Sequence, residues 1–387
     1  MRNFNYFQPT EIIYGKGRIL ELAELVKKFG NKCLLVTTEE GQGLDELFNK
    51  IKEILKSGNV DVAHFSGVTP NPTTDVITKG AKLARQIGAE VVVGLGGGSS
   101  MDGAKAIAVE ATHPGSCWDY LYYKKEPTEK TLPVIAVSTT SGTGSQVTQV
   151  AVVTNTEERN KSALYHWRLF PKVALIDSEL MISVPKYVTQ TTGFDVFCHA
   201  FESTVHKNNS PLVDTLAWEA IQIVIESLPK LVNDLDNQEL RAEMAFADTL
   251  AGLSIASIGV TLPHGIGMAI SGLYPHIAHG ASLAINYPAF TRFTYKHAIP
   301  QFAKLGRLLD PHLGTASDEV AAEKSCELLD DFLKRIGLWI RLKDFNMPEN
   351  EISLLSKNSM ILPDYQNNPR VATADEMLEI IQQSYSL

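Results

Sequence analysis

From Thr249 to Thr291 the chain runs through 43 residues without one Asp, Glu, Lys or Arg. A stretch so poor in charge cannot form a solvated helix face, so any fold this chain adopts has to bury it. Three histidines, His264, His276 and His279, stand inside it. An imidazole in an apolar interior needs a polar partner. One is offered upstream, where Gly193-Phe194-Asp195-Val196-Phe197-Cys198-His199 sets a carboxylate and an imidazole four residues apart, on one face of a helix. Asp195, His199, His264 and His279 together make a divalent-metal site. Three nitrogens and one carboxylate oxygen suit zinc or ferrous iron, and a catalytic version keeps a coordination position open for substrate oxygen. A lone buried histidine is ordinarily a core residue bonded to a carbonyl; two clusters in one chain shift the balance toward ligation.

A membrane span is the other use of an uncharged stretch. Its longest apolar piece, residues 250–262, falls short of the ~20 residues a bilayer needs and runs into Pro263 and a glycine-containing segment. A buried core helix is expected there, and no membrane partner.

The first half alternates short apolar runs with helical patterns. Strands are expected over residues 33–38, 60–65, 90–95, 132–138 and 173–176, with helices over 44–55, 74–87 and 99–111. That alternation predicts a Rossmann-like parallel sheet with helices on both faces. From about Pro185 the pattern turns helical, over residues 212–231, 240–258, 318–336 and 374–385. Two domains follow: an α/β dinucleotide-binding domain over residues 1–184, and an all-helical metal-binding and substrate domain over residues 185–387.

The formal charge of −9 argues against a nucleic-acid partner, because a phosphate backbone is repelled unless a basic patch compensates. Cys33, Cys117, Cys198 and Cys326 are scattered without a CxxC, which fits a reducing compartment rather than a disulfide framework. The first residues carry no continuous apolar segment, and a cytoplasmic protein is expected.

Two loops carry phosphate chemistry. Gly94-Leu95-Gly96-Gly97-Gly98-Ser99-Ser100-Met101-Asp102 lies where a strand hands over to a helix, so its backbone amides can approach a pyrophosphate. Ser99 is expected as the N-cap, with Asp102 reaching back as in a capping box. A glycine-rich turn alone is weak support for nucleotide binding. The second loop, Ser138-Thr139-Thr140-Ser141-Gly142-Thr143-Gly144-Ser145, follows another apolar strand and offers six hydroxyls where an ordinary turn needs one or two. Asn71, between Pro70 and Pro72, can supply an amide to the same crevice, since ligands of open parallel sheets bind beyond the carboxyl ends of the strands.

With these motifs in order, the chain resembles the iron-containing (group III) alcohol dehydrogenases along nearly its whole length, from Phe7-Gln8-Pro9-Thr10-Glu11-Ile12 to Asn368-Pro369-Arg370. The resemblance implies the architecture shared with dehydroquinate synthase. It also implies that Gly97, Gly98 and Ser99, with Asp102 and Lys105, form the diphosphate loop, and that Thr139, Thr140 and Thr143 form a second nucleotide loop. Asn71 and Lys161 match further cofactor contacts, and Asp195, His199, His264 and His279 fall on the four metal ligands. The expected activity is interconversion of a small primary alcohol or diol and its aldehyde, with NAD or NADP and one Fe2+ or Zn2+, in a homo-oligomer. A glycerol-dehydrogenase-like polyol oxidoreductase and a dehydroquinate-synthase-like lyase are the alternatives on the same architecture. The lyase would want several Lys and Arg near the metal, and residues 249–291 have none.

Three positions depart from the family pattern. Met268 stands where relatives commonly carry a second histidine four residues after the third ligand, so a proton has to leave through water, the ribose hydroxyls or nearby His276. Gln146 replaces a usual glutamate. Thr38 ends the strand after which NAD-using relatives often place an aspartate, with Glu39 and Glu40 following. A carboxylate there accepts from a ribose 2′-hydroxyl and repels a 2′-phosphate, which favours NAD.

Overall fold

The computed structural model describes residues 3–41 and 43–386. They group into two compact units, an α/β unit of Phe7–Val184 with Asp236–Ala245, and a helical unit of Met1–Tyr6, Pro185–Leu235 and Phe246–Leu387.

The α/β unit is built on eight strands: β1 (Glu11–Tyr14), β2 (Lys32–Thr38), β3 (Asp61–Val68), β4 (Val91–Gly96), β5 (Val134–Ser138), β6 (Val150–Asn155), β7 (Asn160–Tyr165) and β8 (Val173–Ile176). Six form one sheet in the order β1-β8-β5-β4-β2-β3, and every pairing in it is parallel. Continuous apolar runs suit such a sheet, because both faces are buried. On β4 the alternation is explicit: Val91, Val93 and Leu95 join the core on one face, with Leu22, Phe48 and Ile51, while Val92 joins the other, with Ile77 and Ile107. Gly94 faces helix Gly98–Glu110, where a Cβ would stand 2.8 Å from that of Ala104. This close approach seats the helix directly over the central strand.

From β2 the chain crosses to the edge strand β3, whereas from β4 it crosses to β5 on the other side. The order of strands therefore reverses between β2 and β4, which is where open α/β sheets bind ligands. The glycine-rich loop follows β4, a central strand.

Two features have weak sequence signals. β1 has only four residues, with one buried side chain. β6 and β7 pair antiparallel as a separate hairpin, joined through Arg159 in the left-handed region at φ 49°.

In the helical unit, helix Lys186–Val205 is buried at almost every position from Gly193 onward. Phe194, Phe197 and Phe201 stack successively along one side, and Tyr287 packs edge-on against the first two. The uncharged stretch is broken rather than continuous: helix Gln238–Ile258 ends before Gly259, at φ 84°, and helix Leu262–Leu273 leaves at 100° to it. Helix His279–Thr294 follows. No single helix among the described residues is long and apolar enough to cross a membrane.

Candidate metal centre and nucleotide loops

Helix Lys186–Val205 presents Asp195 and His199 one turn apart, as their spacing requires. Helix Leu262–Leu273 brings His264 to them from its first turn. The Asp195 Oδ1 atom lies 3.7 Å from His199 Nε2 and 3.5 Å from His264 Nε2, and the ligand atoms of these three buried residues all fall within 4.8 Å of one another. The rings of His199 and His264 stack at 4.6 Å. His279, at the start of its own helix, sets its ring 5.3 Å from that of His264, edge to face.

Asp195 Oδ1 and His264 Nε2 are buried without a hydrogen-bond partner, an arrangement that is costly unless something else satisfies both atoms. Donors ~2.1 Å from a shared ion stand roughly 3.4 Å apart in a tetrahedral shell, close to the separation seen here. The residues therefore fit a divalent cation. Burial by itself raises the Asp195 carboxyl, but His199, His279 and His264 together hold it down at about 2, so it is the anion a cation requires. Burial opposes a charge on His264, yet Glu202 and Asp195 push the imidazole up to about 10.

His276 does not join this group. It is exposed, its Nε2 faces the Phe345 carbonyl at 3.4 Å, and its ring packs against Tyr274. The cause is local: residues 275 and 276 lie in the turn between two helices, which faces solvent. Met268 is buried on the same helix as His264, one turn further on.

Two further carboxylates, Glu202 and Asp364, stand near His264. Glu202 accepts from it, and burial pushes Asp364, which also faces His264, up to about 6. The signal for Glu202 was present: it stands three residues after His199 and seven after Asp195, on the same helical stripe.

In the α/β unit, helix Gly98–Glu110 takes Gly97 as its N-cap, with no side chain capping the first turn. The expected capping box is therefore absent: Ser99 lies inside the first turn, and Asp102 turns inward. Asp102 accepts from Ser145 Oγ at 2.6 Å and from the Val152 amide at 3.0 Å, and lies 3.7 Å from Lys105 Nζ. Burial raises its carboxyl against the pull of Lys105 and Lys161. Lys105 in turn donates to Ser145 Oγ and the Val150 carbonyl. This buried pair ties the glycine helix to the end of the hydroxyl loop.

The two loops interlock. A Cβ on Gly97 would stand 3.1 Å from Thr140 Oγ1, and one on Gly98 would stand 2.6 Å from Thr143 Cγ2. Thr139 bonds through its amide to the Gly96 carbonyl. Thr38 ends β2 beside the reversal point. Glu40 beyond it faces His64 Nδ1 at 3.4 Å and Lys52 at 3.7 Å. Asn71 follows β3 in the left-handed region at φ 56°. Lys161 is buried on β7.

Comparison with known proteins covers both units. Residues 9–178 match the family model for iron-containing alcohol dehydrogenase, and residues 189–385 match that for the C-terminal part of the Fe-containing alcohol dehydrogenase family. The NAD-dependent methanol dehydrogenase of Bacillus methanolicus is 32% identical over 377 residues, 97% of this chain and 98% of that protein. The 1,3-propanediol dehydrogenase of Klebsiella pneumoniae is 30% identical over 386 residues, 99% of each. Among solved structures, an archaeal halo-thermophilic alcohol dehydrogenase from a Red Sea brine pool superposes with a TM-score of 0.94 at 35% identity, over 99% of this chain and 100% of that one.

Proposed function

We infer the activity from one premise: the chain belongs to the iron-containing alcohol dehydrogenase family, whose two models match residues 9–178 and 189–385. It is a metal-dependent, NAD-linked alcohol dehydrogenase that interconverts a small primary alcohol or diol and its aldehyde. The observation that carries this reading is the pair of buried ligand atoms without a hydrogen bond, Asp195 Oδ1 and His264 Nε2, facing each other across 3.5 Å with His199 alongside.

Asp195, His199, His264 and His279 would hold one divalent cation. The bound cation supplies Lewis acidity to a substrate oxygen, and the nicotinamide supplies or accepts the hydride. Asp195 contributes the negative charge that offsets the ion. The apolar helices around the four residues exclude water and keep the local dielectric low, where charge stabilisation is strongest. In the α/β unit, Gly97, Gly98 and Ser99 would bring uncapped backbone amides to the diphosphate, and Thr139, Thr140 and Thr143 would face it with hydroxyls. Asn71 and Lys161 are the remaining cofactor contacts, and Asp102 acts by bracing the second loop. With His276 turned to solvent, the proton of the alcohol leaves through water or the ribose hydroxyls.

NAD is favoured over NADP by Glu39 and Glu40 beyond Thr38, and by the cofactor named for the Bacillus methanolicus relative. Iron is favoured over zinc by the family's own description. Four buried, unbridged cysteines support a reducing, cytoplasmic setting.

The test is direct. Protein purified without oxygen is assayed for bound metal, and for NADH oxidation with a panel of short aldehydes. About one ion per chain, loss of turnover on chelation and faster rates with NADH than with NADPH are expected. Full turnover by metal-free protein would refute the reading.

A further inference from the structure

Glu202 has no exposed surface and takes part in three hydrogen bonds that converge on the start of the helix bearing His264. Its Oε1 accepts from His264 Nδ1 at 2.7 Å. Its Oε2 accepts from the Thr261 amide at 2.8 Å and the Thr261 hydroxyl at 3.1 Å. Thr261 is the N-cap residue of that helix, yet its side chain caps nothing; the hydroxyl turns to Glu202 instead. We propose that Glu202 is the positioning residue of the metal centre, clamping His264 through Nδ1 so that Nε2 stays turned toward Asp195 as the nitrogen offered to the ion.

Each part follows from donor and acceptor bookkeeping. A carboxylate is acceptor-only, and the Thr261 amide can only donate, so Oε2 is committed to Thr261 and Oε1 to His264. Once an ion occupies Nε2 the imidazole keeps a single hydrogen, on Nδ1, where Glu202 holds it. Nε2 is the atom that lies 3.5 Å from Asp195 Oδ1 without a hydrogen bond of its own. Asp195, His199 and Glu202 occupy a single stripe of helix Lys186–Val205. One rigid element therefore supplies a carboxylate ligand, an imidazole ligand and the clamp for a third ligand arriving from another helix. A purely structural salt link would not need both oxygens aimed at two successive features of the His264 segment.

The inference rests on the metal reading above, and the experiment separates the two. Metal dissociation constants are measured by chelator competition on wild type, Glu202→Gln, Glu202→Asp and Thr261→Val, loaded with Zn2+ or Co2+. In Glu202→Gln an amide NH2 must oppose either Thr261 N–H or His264 Nδ1–H. Affinity is expected to fall about 10–100-fold, and the d–d absorption of the Co2+ form to shift. NADH binding should stay within twofold of wild type. Glu202→Asp keeps the charge and should recover part of the affinity, and Thr261→Val, which leaves the His264 bond in place, should lose about threefold or less. If Glu202→Gln does not fold, Glu202→Asp carries the test, with an intermediate loss expected. A folded Gln or Asp variant that holds the ion within twofold of wild type, with an unchanged Co2+ spectrum, overturns the clamp alone. Wild-type protein that binds no divalent ion overturns the metal reading and the clamp with it.

Discussion

Gly280 is the residue on which the metal centre's geometry is most exposed to a single substitution. It follows His279, and a Cβ built on it would stand 1.9 Å from the Thr191 carbonyl oxygen, 2.5 Å from its carbon and 3.1 Å from its Cα. All three atoms are backbone, so no rotamer change relieves the clash. The Thr191 carbonyl lies four residues before Asp195, so it is the acceptor of that residue's helical N–H. In Gly280→Ala the two helices have to separate by about 1 Å to reach even a 3 Å contact, whereas metal sites tolerate ligand errors of ~0.2 Å. Overpacking costs ~1–3 kcal/mol when side chains can adjust, and a backbone clash belongs at or above the top of that range. The expected result is a melting temperature lower by roughly 5–10 °C and a metal dissociation constant raised by about tenfold or more. Gly314→Ala is the control, because a Cβ there meets nothing within 4 Å, and it should be silent. Differential scanning calorimetry and chelator competition on both variants decide the matter. A Gly280→Ala protein that melts within 2 °C of wild type and keeps its ion would show that the helix contact does not set the ligand geometry.

Other substitutions probe the remaining parts. Asp195→Ala and His264→Ala should each abolish metal binding and turnover while leaving NADH binding largely intact, measured by metal analysis and nicotinamide fluorescence. Gly98→Ala should weaken NADH binding about tenfold, near 1.4 kcal/mol, because Thr143 has to shift; adding Thr143→Ala should recover the lost thermal stability. His276→Ala should leave the pH–rate profile unchanged, and a displaced alkaline limb would return that residue to the proton route. Lys105 gives a pH signature. Burial holds its ammonium down to about 8, against ~10.4 in an unfolded chain, so over that window the unfolded chain binds the proton and the folded one does not. The group's contribution to stability therefore rises with pH, by about 3 kcal/mol between pH ~8 and ~10. Urea unfolding should show wild type gaining on Lys105→Met by that order over this window; a difference that is flat with pH would count against it.

Much of this was legible in the residues because the physics was local. Valine-rich runs marked parallel strands, and the Asp195–His199 spacing marked a helix face, since both depend only on backbone period. Ser99 misled as an N-cap because three glycines precede it, and the helix begins as soon as Gly97 provides an extended residue. Glu202, one acid in a helix, reads from sequence as a solvated side chain until its burial is known. His276 reads as a proton carrier because it stands three residues before His279, and that spacing says nothing about a turn that faces outward. The β6–β7 hairpin follows directly on the hydroxyl-rich loop of residues 138–145, and only tertiary pairing distinguishes its short strands from more of that loop.

Helix Lys186–Val205 carries its aromatic spine on one side and its acid–imidazole stripe on the other, locked into a single rod by the same packing. A cation bound there supplies the partner that the buried Asp195 and His264 atoms lack, on a helix held by its aromatic packing and not by the ion. Stripping the metal should therefore leave an intact, empty vessel that accepts a different divalent ion without refolding, unlike small zinc domains that collapse when their ion is removed.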